Sequence, residues 1–321
     1  MQKDAVTWEQ PRRWSVLAMM SMMVLGSMAG GAQAGFAFEG KVQSAALKGS
    51  RMVRVWLPKS YAAEPKRRYP VLYVHDGQNA FSVVGTNVAF GWGNWELDKT
   101  VEHLAAAKRM QEIILVSVDA GPNRYGEYRG LSRKRGDLAP AESSGAFEDF
   151  SRFLREELKP RIDRDYRTMP EPKHTGLIGS SLGGISSLTL AWQHPEVFGL
   201  AASLSGAFQV EGRYLIRGVL KEYRGRRKSI RIYLDSGVVD FTGGDDGRRD
   251  TEAVALELRR IGWHDGKDLQ YYLDDHPLTD EELARADLRQ DKWKEAKTSQ
   301  HNEFYWRLRA WRALVFLFPP K

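Results

Sequence analysis

The sequence predicts an α/β fold, with a mostly parallel central sheet and helices on both faces. Three observations lead there. Short, nearly continuous apolar runs recur along the chain, as in strands buried on both sides. Between them lie stretches whose apolar residues have helical spacing. Such alternation of strand and helix builds a parallel sheet covered on both sides. Finally, 42% hydrophobic and 28% charged residues in 321 is globular composition, which excludes a disordered, collagen-like or coiled-coil chain.

In chain order, Lys41 to Leu47 and Met52 to Leu57 alternate apolar with polar residues and form an antiparallel opening pair. Tyr69 to His75 and Glu112 to Val118 are buried strands. Trp95, Leu97, Val101, Leu104 and Ala105 mark the helix between them. Phe147, Phe150, Leu154 and Leu158 form one face of the next helix. A short strand, Thr175 to Ile178, leads into a helix with Leu182, Ile185, Leu188 and Trp192 on its inner face, stopped by Pro195. Leu200 to Leu204, Ile230 to Leu234 and Leu269 to Leu273 are further strands, with a helix marked by Val254, Leu258 and Ile261 before the last. Phe304, Leu308, Trp311 and Val315 define a final helix that ends at Pro319-Pro320.

The first 34 residues stand apart. Lys3, Arg12 and Arg13 precede an apolar run from Ser15 to Met28, and Ala32-Gln33-Ala34 is an A-x-A pattern. This order is that of a signal peptide covering residues 1–34, cleaved before Gly35. The expected product is a single exported domain of residues 35–321, periplasmic or secreted, without a stable membrane anchor. A retained anchor is the competing reading, but the apolar core is shorter than the roughly 20 residues a span needs. Arg12-Arg13 leaves Sec and twin-arginine export both open.

Function in such sheets sits at the carboxyl ends of strands. Gly179-Ser180-Ser181-Leu182-Gly183 lies at one of them, directly after a strand and directly before a helix. A nucleophilic serine needs this sharp turn, and side chains at the flanking glycines would clash. Ser181 is therefore the candidate nucleophile. The Leu182 amide, at the helix start, is free for a developing oxyanion. A serine needs a base and the base an orienting acid. Asp240, after the strand Ile230 to Leu234, is the preferred acid. Asp245, Asp246 and Asp250 compete with it, and Asp235 is read as a turn cap. Of seven histidines, His276 and His301 follow the last strand, where the base belongs. His301 is preferred because the final helix can anchor it.

Five blocks in this order resemble the putative esterase family of α/β-hydrolases, which includes feruloyl, acetylxylan and enterochelin esterases, S-formylglutathione hydrolase and mycolyltransferases. They are Tyr69 to Asn79, Asn123 to Tyr128, Gly179 to Gly184, Ser236 to Asp240 and His301 to Trp306. The resemblance runs from about Met52 to Phe316. It implies the α/β-hydrolase fold and a triad of Ser181, Asp240 and His301. It also implies an oxyanion hole from the backbone N–H groups of Gln78 and Leu182. The expected activity is that of a serine esterase acting on a small-molecule or glycan-linked ester. An acyltransferase, or a siderophore- or glycan-binding relative without activity, is the alternative.

This chemistry needs no cofactor and no metal. No H-E-x-x-H or P-loop is present, and no G-x-G-x-x-G follows a strand. With no cysteine, disulfides and thiolate chemistry are excluded. The formal charge of +7 is spread along the chain and gives little reason to expect a nucleic-acid partner. Trp92, Trp95 and Arg124 are candidates for substrate contact. Arg129 with Arg133 to Arg135, and Arg224 with Arg226 to Lys228, read as solvated basic faces. Between Leu273 and His301 lie 27 residues where the family needs only a few. Within this insertion, near residues 276–300, Thr279 to Ala296 reads as a charged helix opened by a capping box of Thr279 and Glu282. It is expected to be either a solvated surface helix or a lid.

Overall fold

The computed structural model describes residues 34–85, 87–131 and 143–320. The expected export segment up to Gln33, and the basic residues Arg133, Lys134 and Arg135, lie outside the described residues. The described residues belong to one compact unit that runs from Ala32 to Lys321.

Eight strands form one sheet. They are β1 (Gly35–Ser44), β2 (Gly49–Leu57), β3 (Val71–His75), β4 (Ile114–Val118), β5 (Thr175–Ser180), β6 (Leu200–Leu204), β7 (Arg231–Ser236) and β8 (Leu269–Leu273). Their order is β1-β2-β4-β3-β5-β6-β7-β8. β2 runs antiparallel to both its neighbours, and every other pair is parallel. This is the α/β-hydrolase fold.

The apolar runs follow from the two-sided core. Every residue of β3, β4, β5 and β6 is buried. Tyr73, Val116 and Leu177 enter one core with Phe150, Ile185, Leu188 and Val254. Their strand neighbours Leu72, Leu115 and Ile178 enter the other, with Leu97, Val101, Ala310 and Leu314. Successive strand residues point to opposite faces, so a helix layer on each side leaves no polar face.

Two helical expectations change in detail. The helix that begins at Ser143 passes through a π turn at Phe153–Leu158 before it ends at Asp165. Phe153, Leu154 and Leu158 of this turn are all in the core. The insertion is not one solvated helix. Its capping box forms, but the helix spans only Asp280–Arg285, and a second one runs over Trp293–Thr298. Leu283, Leu288 and Ala296 make a small core of their own against Phe304 and Tyr305. The Trp293 indole donates to the Leu288 carbonyl at 2.7 Å. Apolar residues at 283, 288, 293 and 296 bury only if the chain bends between them.

Among the described residues, no helix is long and apolar enough to cross a membrane.

Candidate active site

The sheet changes direction of winding between β3 and β5: β4 lies on one side of β3, and the later strands lie beyond β5. Loops at such a switch point diverge and leave a crevice at the strand ends. Ser181 leaves β5 into that crevice.

Ser181 has φ 53° and ψ −121°, a conformation that costs about 1–3 kcal/mol in a residue with a Cβ. Its surroundings hold it there. Its amide donates to the Leu204 carbonyl at 3.0 Å, and its carbonyl accepts from Gly184, Ile185 and Ala207 at 2.9–3.2 Å. A Cβ at Gly179 would stand 2.5 Å from the Gly183 backbone, so the strand can pass the helix only without a side chain. Leu182 is the first residue of the helix Leu182–Gln193, where amides have no intrahelical carbonyl to bond.

Gln78 lies in a tight turn, Gly77–Asn79, that follows β3. Asp76 enters this turn in the left-handed region, φ 54°. A Cβ at Gly77 would meet the Val118 backbone at 2.7 Å, so the turn packs directly on the end of β4. The Gln78 side chain fixes it further, as its Oε1 accepts from the Ala120 amide at 3.0 Å.

His301 stands just before the final helix, Glu303–Leu317, which Asn302 caps by accepting from the Tyr305 amide at 3.1 Å. The imidazole packs edge-on against Trp306, ring centroids 5.1 Å apart, and against the exposed Phe241 at 5.7 Å. Its Nδ1 lies 2.5 Å from Oδ1 of Asp246. Asp246, not the expected Asp240, is the carboxylate brought to His301.

The loop after β7 explains the correction. Val239 pairs with Asp245 as a small antiparallel bridge, and the Asp240 amide donates to the Gly244 carbonyl at 2.9 Å. Asp240 therefore sits at an outward turn. Its carboxylate accepts from the Thr242 amide, the Thr242 hydroxyl and the Gly244 amide at 2.8, 2.7 and 3.0 Å. Slight burial acts the other way, but these donors hold its carboxyl below the usual range. The hairpin then returns the chain to the sheet, and Asp246 is fully buried. Residue counting from the strand end finds the loop but not the fold-back inside it.

Asp246 is held by a polar cluster that sequence reasoning missed. Its Oδ2 accepts from the Gly237 amide at 2.6 Å and from the Ser205 hydroxyl. Ser205 in turn accepts from the Trp306 indole at 3.0 Å and from Arg309 at 2.7 Å. Arg309 is 2% exposed and faces Asp235 at 3.2 Å, Asp274 at 3.6 Å and Asp246 at 3.8 Å. Asp235 is thus not a turn cap but part of this cluster, and burial raises its pKa to about 6 despite Arg309. A trace of the cluster was legible: Arg309 lies three residues beyond Trp306, on the buried side of an apolar helix.

Gln300 ties the loops that carry Asp246 and His301 together. Its amide donates to the Val239 carbonyl at 2.8 Å, its Oε1 accepts from Val238, and its Nε2 donates to Asp274 at 2.9 Å. His276 is exposed and bonded to neighbouring Asp275 at 2.7 Å. His75, at the end of β3, is buried against the Ser186 and Ser187 hydroxyls at 3.1 and 3.2 Å, and desolvation lowers its pKa to about 4.

The candidate substrate contacts divide. Trp95 is buried and packs on Trp306, ring centroids 6.0 Å apart, so it belongs to the core. Trp92 is half-buried beside the insertion, with Lys292 4.9 Å from its ring centre. Arg124 makes a two-pronged pair with Asp76, at 2.6 and 2.7 Å. Of the basic faces, Arg129 is buried and paired with Glu211 at 3.0 Å, which corrects its reading as solvated. Arg227 pairs with Asp268 at 3.0 Å, and Lys228 lies over Trp192.

Among the described residues, no group of three or more His, Asp or Glu side chains is arranged to hold a metal ion. The chemistry legible here is that of a strained serine, two loops with backbone amides, and an imidazole oriented by a carboxylate.

The chain belongs to the putative esterase family, whose model matches residues 44–315. Among curated relatives, it is 28% identical over 174 residues to the uncharacterized protein YbbA of Bacillus subtilis. That match covers 51% of this chain and 59% of the relative, so the chain spans somewhat over half the length of the relatives it matches. Among solved structures, a ferulic acid esterase superposes with a TM-score of 0.62 at 18% identity, covering 89% of this chain and 98% of that one. The enterobactin esterase of Shigella flexneri superposes with a TM-score of 0.61 at 19% identity, covering 88% and 59%.

Proposed function

We propose that the protein is an exported serine esterase that hydrolyses a carboxylic ester through Ser181, His301 and Asp246. The observation that carries this reading is the His301–Asp246 hydrogen bond at the carboxyl end of the sheet, where the strained Ser181 also lies. Asp246 takes the orienting role first expected of Asp240.

Ionised Asp246 only accepts, so Nδ1 of His301 donates and its Nε2 is left with a lone pair. In the first step His301 Nε2 takes the Ser181 hydroxyl proton as Oγ attacks the ester carbonyl. The amides of Leu182 and Gln78 stabilise the resulting oxyanion. Collapse breaks the bond to the alcohol, which leaves with the proton from His301, and the acyl group stays on Ser181. Water then attacks the acyl-enzyme and gives its proton to His301. The carboxylic acid departs as the proton returns to Ser181.

The names of the structural neighbours, a ferulic acid esterase and an enterobactin esterase, support small-molecule or glycan-linked esters as substrates. Export rests on the basic start, the apolar run and Ala32-Gln33-Ala34. An N-terminus at Gly35 in protein recovered outside the cytoplasm is the expected mass-spectrometric result.

The deciding experiment is labelling with a fluorophosphonate probe, together with turnover of p-nitrophenyl acetate and methyl ferulate. Wild type is expected to be labelled on Ser181 and to hydrolyse at least one ester. Ser181→Ala is expected to do neither. An active Ser181→Ala, or a label on another serine, overturns the reading.

A further inference from the structure

We propose that Glu303 is a positioning residue for this ester hydrolysis, one that holds the oxyanion loop to the base loop through Asn79. The inference rests on the serine-esterase reading above and adds a residue to it.

Asn79 directly follows Gln78, whose amide is the oxyanion donor contributed by the loop after β3. Glu303 follows His301 by two residues. The Asn79 Nδ2 donates to Glu303 Oε1 at 3.0 Å, a link across 224 residues of sequence. The other anchors of the oxyanion loop come from elsewhere: Ala120 through the Gln78 side chain, and Trp95 through the Asn79 carbonyl at 2.8 Å. Glu303 thus joins the loop to the element that carries the base. The donors of an oxyanion hole act only when their position relative to nucleophile and base is kept within a fraction of an ångström.

The charges around Glu303 give this link a second property. Asp76 faces it from the end of β3, itself paired with Arg124. His301 faces it from the base loop. One turn along its own helix, Arg307 is turned to Glu96 at 3.6 Å. Burial first, and then Asp76, raise the Glu303 carboxyl to about 7, against the opposing pull of the helix amide, Asn79 and His301. Near neutral pH the side chain therefore changes charge. When ionised it accepts a stronger, charge-assisted bond from Asn79 and favours the imidazolium that forms on His301 during attack.

Two variants test this. Glu303→Gln keeps a carbonyl acceptor for Asn79 but cannot ionise. Glu303→Ala removes acceptor and charge together. With p-nitrophenyl acetate, kcat of Glu303→Ala is expected to fall roughly tenfold to a hundredfold, with KM little changed. Glu303→Gln is expected to recover most of that loss at low pH. It is also expected to lack the part of the wild-type rise in kcat that falls near pH ~7. The inference is overturned if both variants keep the wild-type kcat and pH profile, whatever their melting temperatures, or if their losses lie wholly in KM. Should Glu303→Ala not fold, the pH profile of Glu303→Gln decides alone. Ser181→Ala is assayed in parallel. If it is inactive while the Glu303 variants behave as wild type, only this inference fails; if it is active, the esterase reading fails.

Discussion

Nδ1 of His301 lies 2.5 Å from Oδ1 of the fully buried Asp246. A carboxylate so placed sets which imidazole nitrogen carries the proton. It also offsets the positive charge that the ring acquires when it accepts another. The Ser205 hydroxyl and the Gly237 amide occupy its other oxygen, so Asp246 cannot rotate away.

The first prediction separates the two aspartates. Asp246→Asn is expected to lower kcat/KM for an aryl ester by roughly 10³–10⁴-fold, because the amide can present the wrong group to Nδ1. Asp240→Asn is expected to stay within about twofold of wild type, since its carboxylate serves a surface turn. Steady-state kinetics on the two purified variants decides; the reverse order of damage would remove Asp246 from the site.

The histidines allow a second comparison. His301→Ala is expected to lose at least about 10³-fold in kcat. His276→Ala is expected to retain wild-type rates, because its side chain is 64% exposed and bonded to its neighbour Asp275. An inactive His276→Ala with normal circular dichroism would contradict the assignment.

Arg309 is the third target. Replacing it with Leu leaves the buried carboxylates of Asp235 and Asp246 without their cation. The expected loss of stability is about 3–5 kcal/mol, read from urea denaturation. Arg249, whose side chain is 90% exposed on the helix Arg248–Ile261, replaced likewise, should change stability by less than about 0.5 kcal/mol. Equal effects would mean that the cluster adds nothing beyond helix propensity.

The fourth prediction concerns acid. His75 is buried, and desolvation holds its pKa at about 4, below the ordinary 6.5. Between those values the unfolded chain takes up a proton that the native protein refuses. The stabilisation is therefore complete above about pH 6.5 and is lost as pH falls towards about 4, by roughly 3 kcal/mol. Asp235 and Glu303, with native values raised to about 6 and about 7, act in the opposite sense as pH rises through their own windows. Comparison with His75→Asn cancels them. The variant should lose less stability than wild type between pH ~7 and pH ~4.5; identical slopes would show that His75 takes up its proton normally in the fold.

Much of the fold was legible in the sequence, because it depends on local periodicity. The apolar runs at Val71–His75 and Ile114–Val118 announce strands with two buried faces, and the strand, tight turn and helix around Ser181 need only neighbours in sequence. The capping box at Thr279 was equally local, and it formed. Other features depend on contacts that cross the chain. Asp246 rather than Asp240 meets His301, 55 residues away, because Val239 folds back onto Asp245. Trp95, equally readable as a substrate contact or as helix packing, is covered by Trp306, and the insertion, readable as a solvated helix or a lid, packs its apolar residues on Phe304 and Tyr305. Arg309, Ser205 and Asp235 come together from the final helix and from the ends of β6 and β7, with no spacing in common. Local pattern determined the elements and the strained turn at Ser181, since steric and hydrophobic rules act over a few residues. Which carboxylate meets His301, and which side chains surround it, is settled by long-range packing and charge pairing, which exist only once the sheet has assembled.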